Sequence, residues 1–173
     1  VMIPPMSDHP TPPARRVFSN DEIRRYSRHL LVPEIGVEGQ RKLRESRVVC
    51  VGAGGLGSPV LMYLAAAGIG TLGLVECDVV EVSTLPRQIL YTEADTGRLK
   101  VEAAAARLAA MNKEIRIELH AGALSPDNAL AILGRYDIVV DATDNFPARY
   151  LVSDACVLLG KPNVSGSVLG LEG

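Results

Sequence analysis

The chain has 173 residues, 47% of them hydrophobic and 22% charged, which suits one compact α/β domain and excludes a fibrous or wholly disordered chain. Its formal net charge of −2 offers no overall basic field to nucleic acid, so any anion site has to be built from local cations. The longest apolar stretch, residues 60–67, falls well short of the roughly 20 residues of a helical membrane span, so a soluble protein with no membrane partner is expected.

Residues 1–18 carry the pairs Pro4-Pro5 and Pro12-Pro13 without the apolar segment of a secretory signal, and read as a disordered proline-rich tail or a transit-peptide remnant. Residues 19–173 then form a single domain. Ser19-Asn20-Asp21-Glu22 sets a capping box for a helix reaching about Leu31, ended by Pro33 and Gly36, and a short helix follows over residues 38–45. Residues 47–51 are a β-branched apolar run stopped by glycine, the pattern of a strand buried on both faces. Ser58 is placed to cap the next helix, with Pro59 at its first position and Gly68 at its end. A strand over 71–75 and a mixed segment over 77–95 lead to an alanine-rich helix over 97–111. Beyond it come a strand over 115–120, a short helix over 128–133, a strand over 137–140, a helix over 147–159 and the start of a strand at 163–164. Strands alternating with helices predict a Rossmann-like, doubly wound, mostly parallel sheet with an N-terminal helical extension.

Cys50, Cys77 and Cys156 form no C-x-x-C pair and lie far apart, so neither a disulfide framework nor a zinc site is written into them. A reducing cytoplasmic setting fits that usage.

The turn after the first strand is Gly52-Ala53-Gly54-Gly55-Leu56-Gly57, followed by a helix. Glycines there let the backbone approach phosphate beside a helix N-terminus. The alternative is a tight turn that binds nothing. Glu76 ends the second strand, where a carboxylate accepts hydrogen bonds from ribose hydroxyls, with Asp78 as its competitor. An NAD-dependent oxidoreductase accounts for these features equally well.

The cations separate the readings. With Thr96 as N-cap, Arg98 and Lys100 fall in the first helical turn, beside the positive end of the helix dipole, a mild misfit unless an anion is near. The plain alternative is that Arg98 and Lys100 reach into water; Arg87, in Ser83-Thr84-Leu85-Pro86-Arg87-Gln88, is placed to join Lys100 around a triphosphate. The fourth strand runs into Asp141-Ala142-Thr143-Asp144-Asn145, at the end of an open sheet where ligands gather. Asp144 is a candidate Mg²⁺ ligand or a cap for the next helix, and Asp141 reads as structural.

These motifs, in this order, resemble the MoeB/ThiF adenylyltransferases, relatives of the ubiquitin-activating enzymes, and are most similar to the eukaryotic-type and MoeZ-like sulfur-carrier activators. The resemblance rests on Arg25-Tyr26-Ser27-Arg28-His29, residues 36–40, the glycine loop, Arg87-Gln88, Gly97 with Lys100, the Asp141–Asn145 segment, Ser165-Gly166 and Leu171-Glu172-Gly173. It implies ATP-dependent adenylation of the C-terminal glycine of a ubiquitin-like sulfur carrier ending in Gly-Gly, with Mg²⁺, in a homodimer. It also implies that Gly52, Gly54, Gly55 and Gly57 lie along the nucleotide, that Glu76 holds ribose, and that Ser83, Thr84, Gln88 and Asn145 line the site. Arg87 and Lys100 would neutralise phosphates, Asp144 would bind the metal, and Arg28 would reach the neighbouring subunit's phosphates or else remain a helix-surface charge.

Two departures stand out. Glu76 occupies the family's Asp position, and Thr84 its Asn position, where a hydroxyl cannot reproduce an amide. The family domain also runs on past the point matched by Gly173, with further strands, a crossover loop and two C-x-x-C pairs that bind structural zinc. This chain is therefore expected to lack the C-terminal part of that fold and its Zn²⁺. A truncated paralogue or fragment that binds ATP without catalysis is the alternative reading.

Overall fold

The computed structural model describes residues 18–168 and 172–173, so all but Phe18 of the expected N-terminal tail, and Leu171 of the last motif, lie outside the described residues. Five strands, β1 (Arg47–Val51), β2 (Thr71–Glu76), β3 (Arg116–Ala121), β4 (Ile138–Asp141) and β5 (Asn163–Ser165), form one sheet in the order β3-β2-β1-β4-β5. Every neighbouring pair is parallel, as the strand–helix alternation predicts. Helices α3 (Gly57–Ala67), α4 (Lys100–Met111), α5 (Ala129–Leu133) and α6 (Phe146–Leu159) make the crossovers, and α1 (Asn20–Leu31) and α2 (Gly36–Glu45) precede β1.

The strand period of two divides the core. Val48 and Cys50 of β1 face α3 and α4 with Leu61, Ala65, Ala104 and Leu108, whereas Val49 and Val51 face α5 and α6 with Leu133, Val152 and Cys156. The chain moves outward from β1 to β2 and β3, then returns to lay β4 on the other side of β1. The connections leaving β1 and β4 therefore diverge and open a crevice at their carboxyl ends.

The helical extension is built as its sequence suggests. Ser19 and Glu22 form a reciprocal capping box, Ser19 N–H donating to Glu22 at 2.7 Å and Glu22 N–H to Ser19 Oγ at 3.1 Å. Tyr26 is buried, accepts a hydrogen bond from Asn112 Nδ2 at 2.8 Å, and lies against Gly68, which ends α3 in the left-handed region with φ 84°. Gly36 opens α2 rather than closing α1, whose last cap is Val32.

Two local expectations are corrected. Ser58 does not cap α3: the helix begins at Gly57, and Ser58 is buried with its Oγ 3.4 Å from the Ala53 carbonyl. The turn also requires glycine at position 57, because a Cβ there would collide with the Gly52 carbonyl. Nor does Thr96 cap α4. It closes a 3₁₀ turn over Glu93–Asp95 that is capped by Thr92, and α4 starts at Lys100 with Leu99 at its N-cap. Gly97 at φ 84° turns the chain so that Arg98 and Leu99 run antiparallel to Val79 and Val80. Arg98 therefore precedes the helix and pairs with Asp95 at 2.7 Å.

Candidate functional site

The glycine loop is held from below by groups that stay neutral. Tyr91 donates to the Ala53 carbonyl at 2.8 Å, and Cys50 Sγ to the Gly52 carbonyl at 3.2 Å. Burial, aided by Asp141 and Glu76, pushes the Cys50 thiol up to about 12. Burial and the Glu76 charge raise the Tyr91 phenol likewise, so each remains a hydrogen-bond donor. The four glycines divide their work. At Gly52, with φ 93°, a Cβ would stand 2.8 Å from the Ala142 carbonyl, and Gly57 is equally crowded, so these two serve close packing. Gly54 and Gly55 face the cleft, looking toward Gln88 and Arg87.

Glu76 reaches back over its own turn. Its Oε2 accepts the Ala53 N–H at 3.0 Å, and its Oε1 accepts the N–H groups of Cys77 and Asp78 at 2.8 and 3.0 Å. The glutamate in place of aspartate thus ties the glycine loop to the end of β2 and keeps lone pairs on Oε2 for a ligand hydroxyl. From there the chain pairs with the approach to α4. Val80 N–H donates to the Arg98 carbonyl at 2.9 Å, Gly97 N–H to the Val80 carbonyl at 2.8 Å, and Lys100 N–H to the Asp78 carbonyl at 2.9 Å. Lys100, only 4% exposed, emerges beside Asp78 with Nζ 3.0 Å from Oδ2. Cys77 lies between the two carboxylates, and burial, with Asp78 and Glu76, raises its thiol.

At the tips of β4 and β5, Asp141 is structural, as expected. Its Oδ1 accepts from Thr143 N–H and Oγ1 at 3.1 and 2.6 Å, and its Oδ2 from Ser165 Oγ at 3.2 Å. Arg149 of α6 closes the same cycle by donating to the carbonyls of Thr143 and Gly166 at 2.6 and 2.9 Å. Asn145, not Asp144, caps α6, its Oδ1 accepting the Ala148 N–H at 3.0 Å. Asp144 is left exposed at the cleft with one long 3.4 Å contact from Asn145 Nδ2.

These elements surround one open cleft of about 1190 Å³, somewhat larger than the roughly 300–1,000 Å³ of most small-molecule sites. It gathers Gly52, Gly54, Gly55, Glu76, Thr84, Arg87, Gln88, Lys100, Asp144 and Asn145. Gly57 lies behind the loop. Ser83 stays outside the lining, with its Oγ 3.3 Å from Glu81. Arg28 is exposed on α1, away from the cleft of its own chain. Thr84 spends its hydroxyl proton on the Glu81 carbonyl at 2.7 Å. Sequence reasoning missed Arg149, whose partners are main-chain carbonyls that leave no pattern in residue types. It also missed the grip of Asp78 on Lys100, for which the only signal was a second carboxylate two residues after Glu76.

A sequence profile described as the ThiF family matches residues 26–173, most of the chain and all of this cleft. The chain belongs to the ThiF family. It is 56% identical over 156 residues to the adenylyltransferase and sulfurtransferase MOCS3 of Arabidopsis thaliana, covering 90% of this chain and 34% of that protein. It is 51% identical over 156 residues to a probable adenylyltransferase/sulfurtransferase, MoeZ, of Mycobacterium tuberculosis, covering 90% of this chain and 40% of that one. The chain thus spans about a third to two fifths of these relatives' lengths. Among solved structures, the E. coli tRNA N6-threonylcarbamoyladenosine dehydratase TcdA in complex with ATP superposes with a TM-score of 0.81 at 27% identity, over 87% of this chain and 61% of that one. E. coli MccB with MccA-N7isoASN gives 0.78 at 31% identity, over 87% and 45%. Among the described residues no helix is long and apolar enough to cross a membrane.

Proposed function

We propose that this ThiF-family chain is the nucleotide-binding part of a cytoplasmic, homodimeric enzyme that uses ATP to adenylate the C-terminal glycine of a ubiquitin-like sulfur carrier. One observation carries the reading: at the divergence of β1 and β4, one cleft is lined by Gly54 and Gly55, by Arg87 and Lys100, and by Asp144, the one uncommitted carboxylate in it among the described residues. Glu76 is engaged with three backbone N–H groups, Asp78 with Lys100, and Asp141 with Thr143 and Ser165. A cleft so equipped suits a polyanion that brings its own divalent cation. The names of the MOCS3 and MoeZ relatives, and the ATP complex of TcdA, support the same choice.

In the proposed reaction an oxygen of the carrier's terminal carboxylate attacks the α-phosphorus of ATP. The bond to the bridging oxygen breaks, pyrophosphate leaves with the electron pair, and an acyl-adenylate remains. No protein nucleophile and no proton transfer are required, so the chain's own work is positioning and charge compensation. The glycine loop and Glu76 hold the nucleoside end, while Arg87 and Lys100 meet the phosphates. Asp144 would hold Mg²⁺, which when bound neutralises phosphate oxygens. Arg28 would act on the neighbouring subunit's site, where charge crossing a two-fold interface completes each cleft.

ATP–pyrophosphate exchange with a carrier ending in Gly-Gly tests this. Lys100→Ala and Asp144→Ala are each expected to abolish exchange with the fold intact, and exchange at the wild-type rate in either removes that residue from the site. Mixing Arg28→Ala with Lys100→Ala protein should return about a quarter of the wild-type rate, because half the dimers then hold one complete site. ATP binding without exchange would leave only a non-catalytic nucleotide site. NAD binding indifferent to Arg87 and Lys100 would replace the reading with an oxidoreductase.

A further inference from the structure

Lys100 enters the cleft from a buried position, and one residue holds it at both ends. Its backbone N–H donates to the Asp78 carbonyl at 2.9 Å, and its Nζ lies 3.0 Å from Asp78 Oδ2. Asp78 is itself fixed, because its N–H donates to Glu76 Oε1 at 3.0 Å, and Glu76 Oε2 takes the Ala53 N–H at 3.0 Å. The antiparallel contact of Val79 with Leu99 locks the two segments together. A continuous set of hydrogen bonds therefore runs from the glycine loop to the one buried ammonium among the described residues.

Building on the function proposed above, we propose that Asp78 is a positioning residue, which fixes the Lys100 ammonium on the cleft wall through one N–H donor and leaves two donors for a nucleoside triphosphate. An ammonium has three donors on a flexible four-carbon stem, and without a fixed partner it would sample several positions along a phosphate chain. The carboxylate that supplies the order also repels phosphate. Asp78, whose side chain is 63% exposed, therefore lowers nucleotide affinity while sharpening the alignment at the α-phosphorus. A residue present only for folding would shift neither quantity in this pattern.

The test compares wild-type protein with Asp78→Asn and Asp78→Glu in three measurements. These are the rate at which an amine-reactive acylating reagent modifies Lys100, read by peptide mass spectrometry; the Kd for ATP, read by calorimetry; and the kcat of exchange. In Asp78→Asn, Lys100 should be acylated several times faster in the nucleotide-free protein, with kcat down at least tenfold and Kd unchanged or tighter. Asp78→Glu keeps the charge on a longer arm and should recover most of kcat; if Asp78→Asn does not fold, Asp78→Glu must still show faster acylation and a lower kcat than wild type. Unchanged acylation, unchanged kcat, or a weakened Kd with kcat intact would each overturn the proposal, the last by making Asp78 an ordinary ligand contact. The acylation measurement needs no nucleotide, so it decides the role of Asp78 even if wild-type protein neither binds ATP nor exchanges, a result that would sink only the function proposed above.

Discussion

Two groups of charges lie on this sheet, and they treat their carboxylates in opposite ways. On the face covered by α5, Glu118 of β3 is buried and closed off on every side. Arg135 donates to it at 2.7 Å, Arg116 and Arg47 approach within 3.2 and 3.3 Å, and the Tyr136 hydroxyl donates at 3.0 Å. Tyr136 fills the space that Gly73 leaves empty and also meets His120 Nε2 at 2.8 Å. At the cleft, by contrast, Glu76 holds only backbone amides, Lys100 keeps two donors unspent, and Asp144 is left uncommitted. Saturated charge fixes a fold, whereas unsaturated charge held in place is what a ligand can use.

Breaking the saturated group should produce the largest change in stability and none in binding. Glu118→Gln leaves three guanidinium groups facing a neutral partner. Because Arg116 and Arg135 are more than half exposed, we expect a loss of about 2–3 kcal/mol rather than the full cost of an orphaned buried charge. A fall in Tm of about 5–10 °C with an unchanged Kd for ATP is the expected pair of results; a changed Kd would mean that the two groups are coupled. Acid should act at the same place. Burial opposes ionisation of Glu118, but the Tyr136 hydrogen bond and the Arg47, Arg135 and Arg116 charges outweigh it and hold its carboxyl below the usual carboxylate range. That contribution is fully present above the unfolded value near 4.5 and is lost as pH falls through the lower folded value. Burial, with Arg135, also lowers His120, so protonation costs stability as pH falls below about 6.5. Thermal melts should sag gently below that pH and steeply below about 4.5. Glu118→Gln should make the steep limb shallower, with Glu22 and Asp95, also lowered, supplying the rest.

The converse change strikes the cleft. Glu76→Gln leaves one carbonyl oxygen where two carboxylate oxygens now serve Ala53, Cys77 and Asp78. We expect ATP affinity to fall about 5- to 30-fold, equivalent to roughly 1–2 kcal/mol, with Tm moving by less than about 3 °C. A Tm loss as large as that of Glu118→Gln, with affinity intact, would erase the distinction between the two regions.

Much of this was readable in residue order, because the decisive signals are local. The Ser19/Glu22 box, the β-branched run into Gly52 and the strand–helix alternation each need only neighbouring residues to specify them. What escaped depends on partners far along the chain or on main-chain atoms. The start of α4 is set by Val79 and Val80 pairing with residues 97–99, which no helix propensity at Thr96 could anticipate. Asn145 rather than Asp144 caps α6, because the helix starts at Phe146 and so puts Asn145 at the N-cap position. Arg149 reads as an ordinary helix-surface cation until its two carbonyl partners are seen.

The smallest expected effect comes from the residue that departs most from the family pattern. Thr84 lines the cleft, yet its hydroxyl proton goes to the Glu81 carbonyl, so it presents the ligand with oxygen lone pairs and no donor. Phosphate oxygens and ribose ring oxygen only accept, and an acceptor facing them contributes nothing. An asparagine on the same 3₁₀ turn would offer amide N–H donors to the cleft. Thr84→Asn should therefore tighten ATP binding, but by the net worth of one hydrogen bond at a half-exposed site, about 2- to 5-fold. Calorimetry resolves such a change. Tighter binding would identify position 84 as a polar contact with the nucleotide, whereas an unchanged Kd would make the 3₁₀ turn a spacer that only carries Arg87 to the Gly55 side of the cleft.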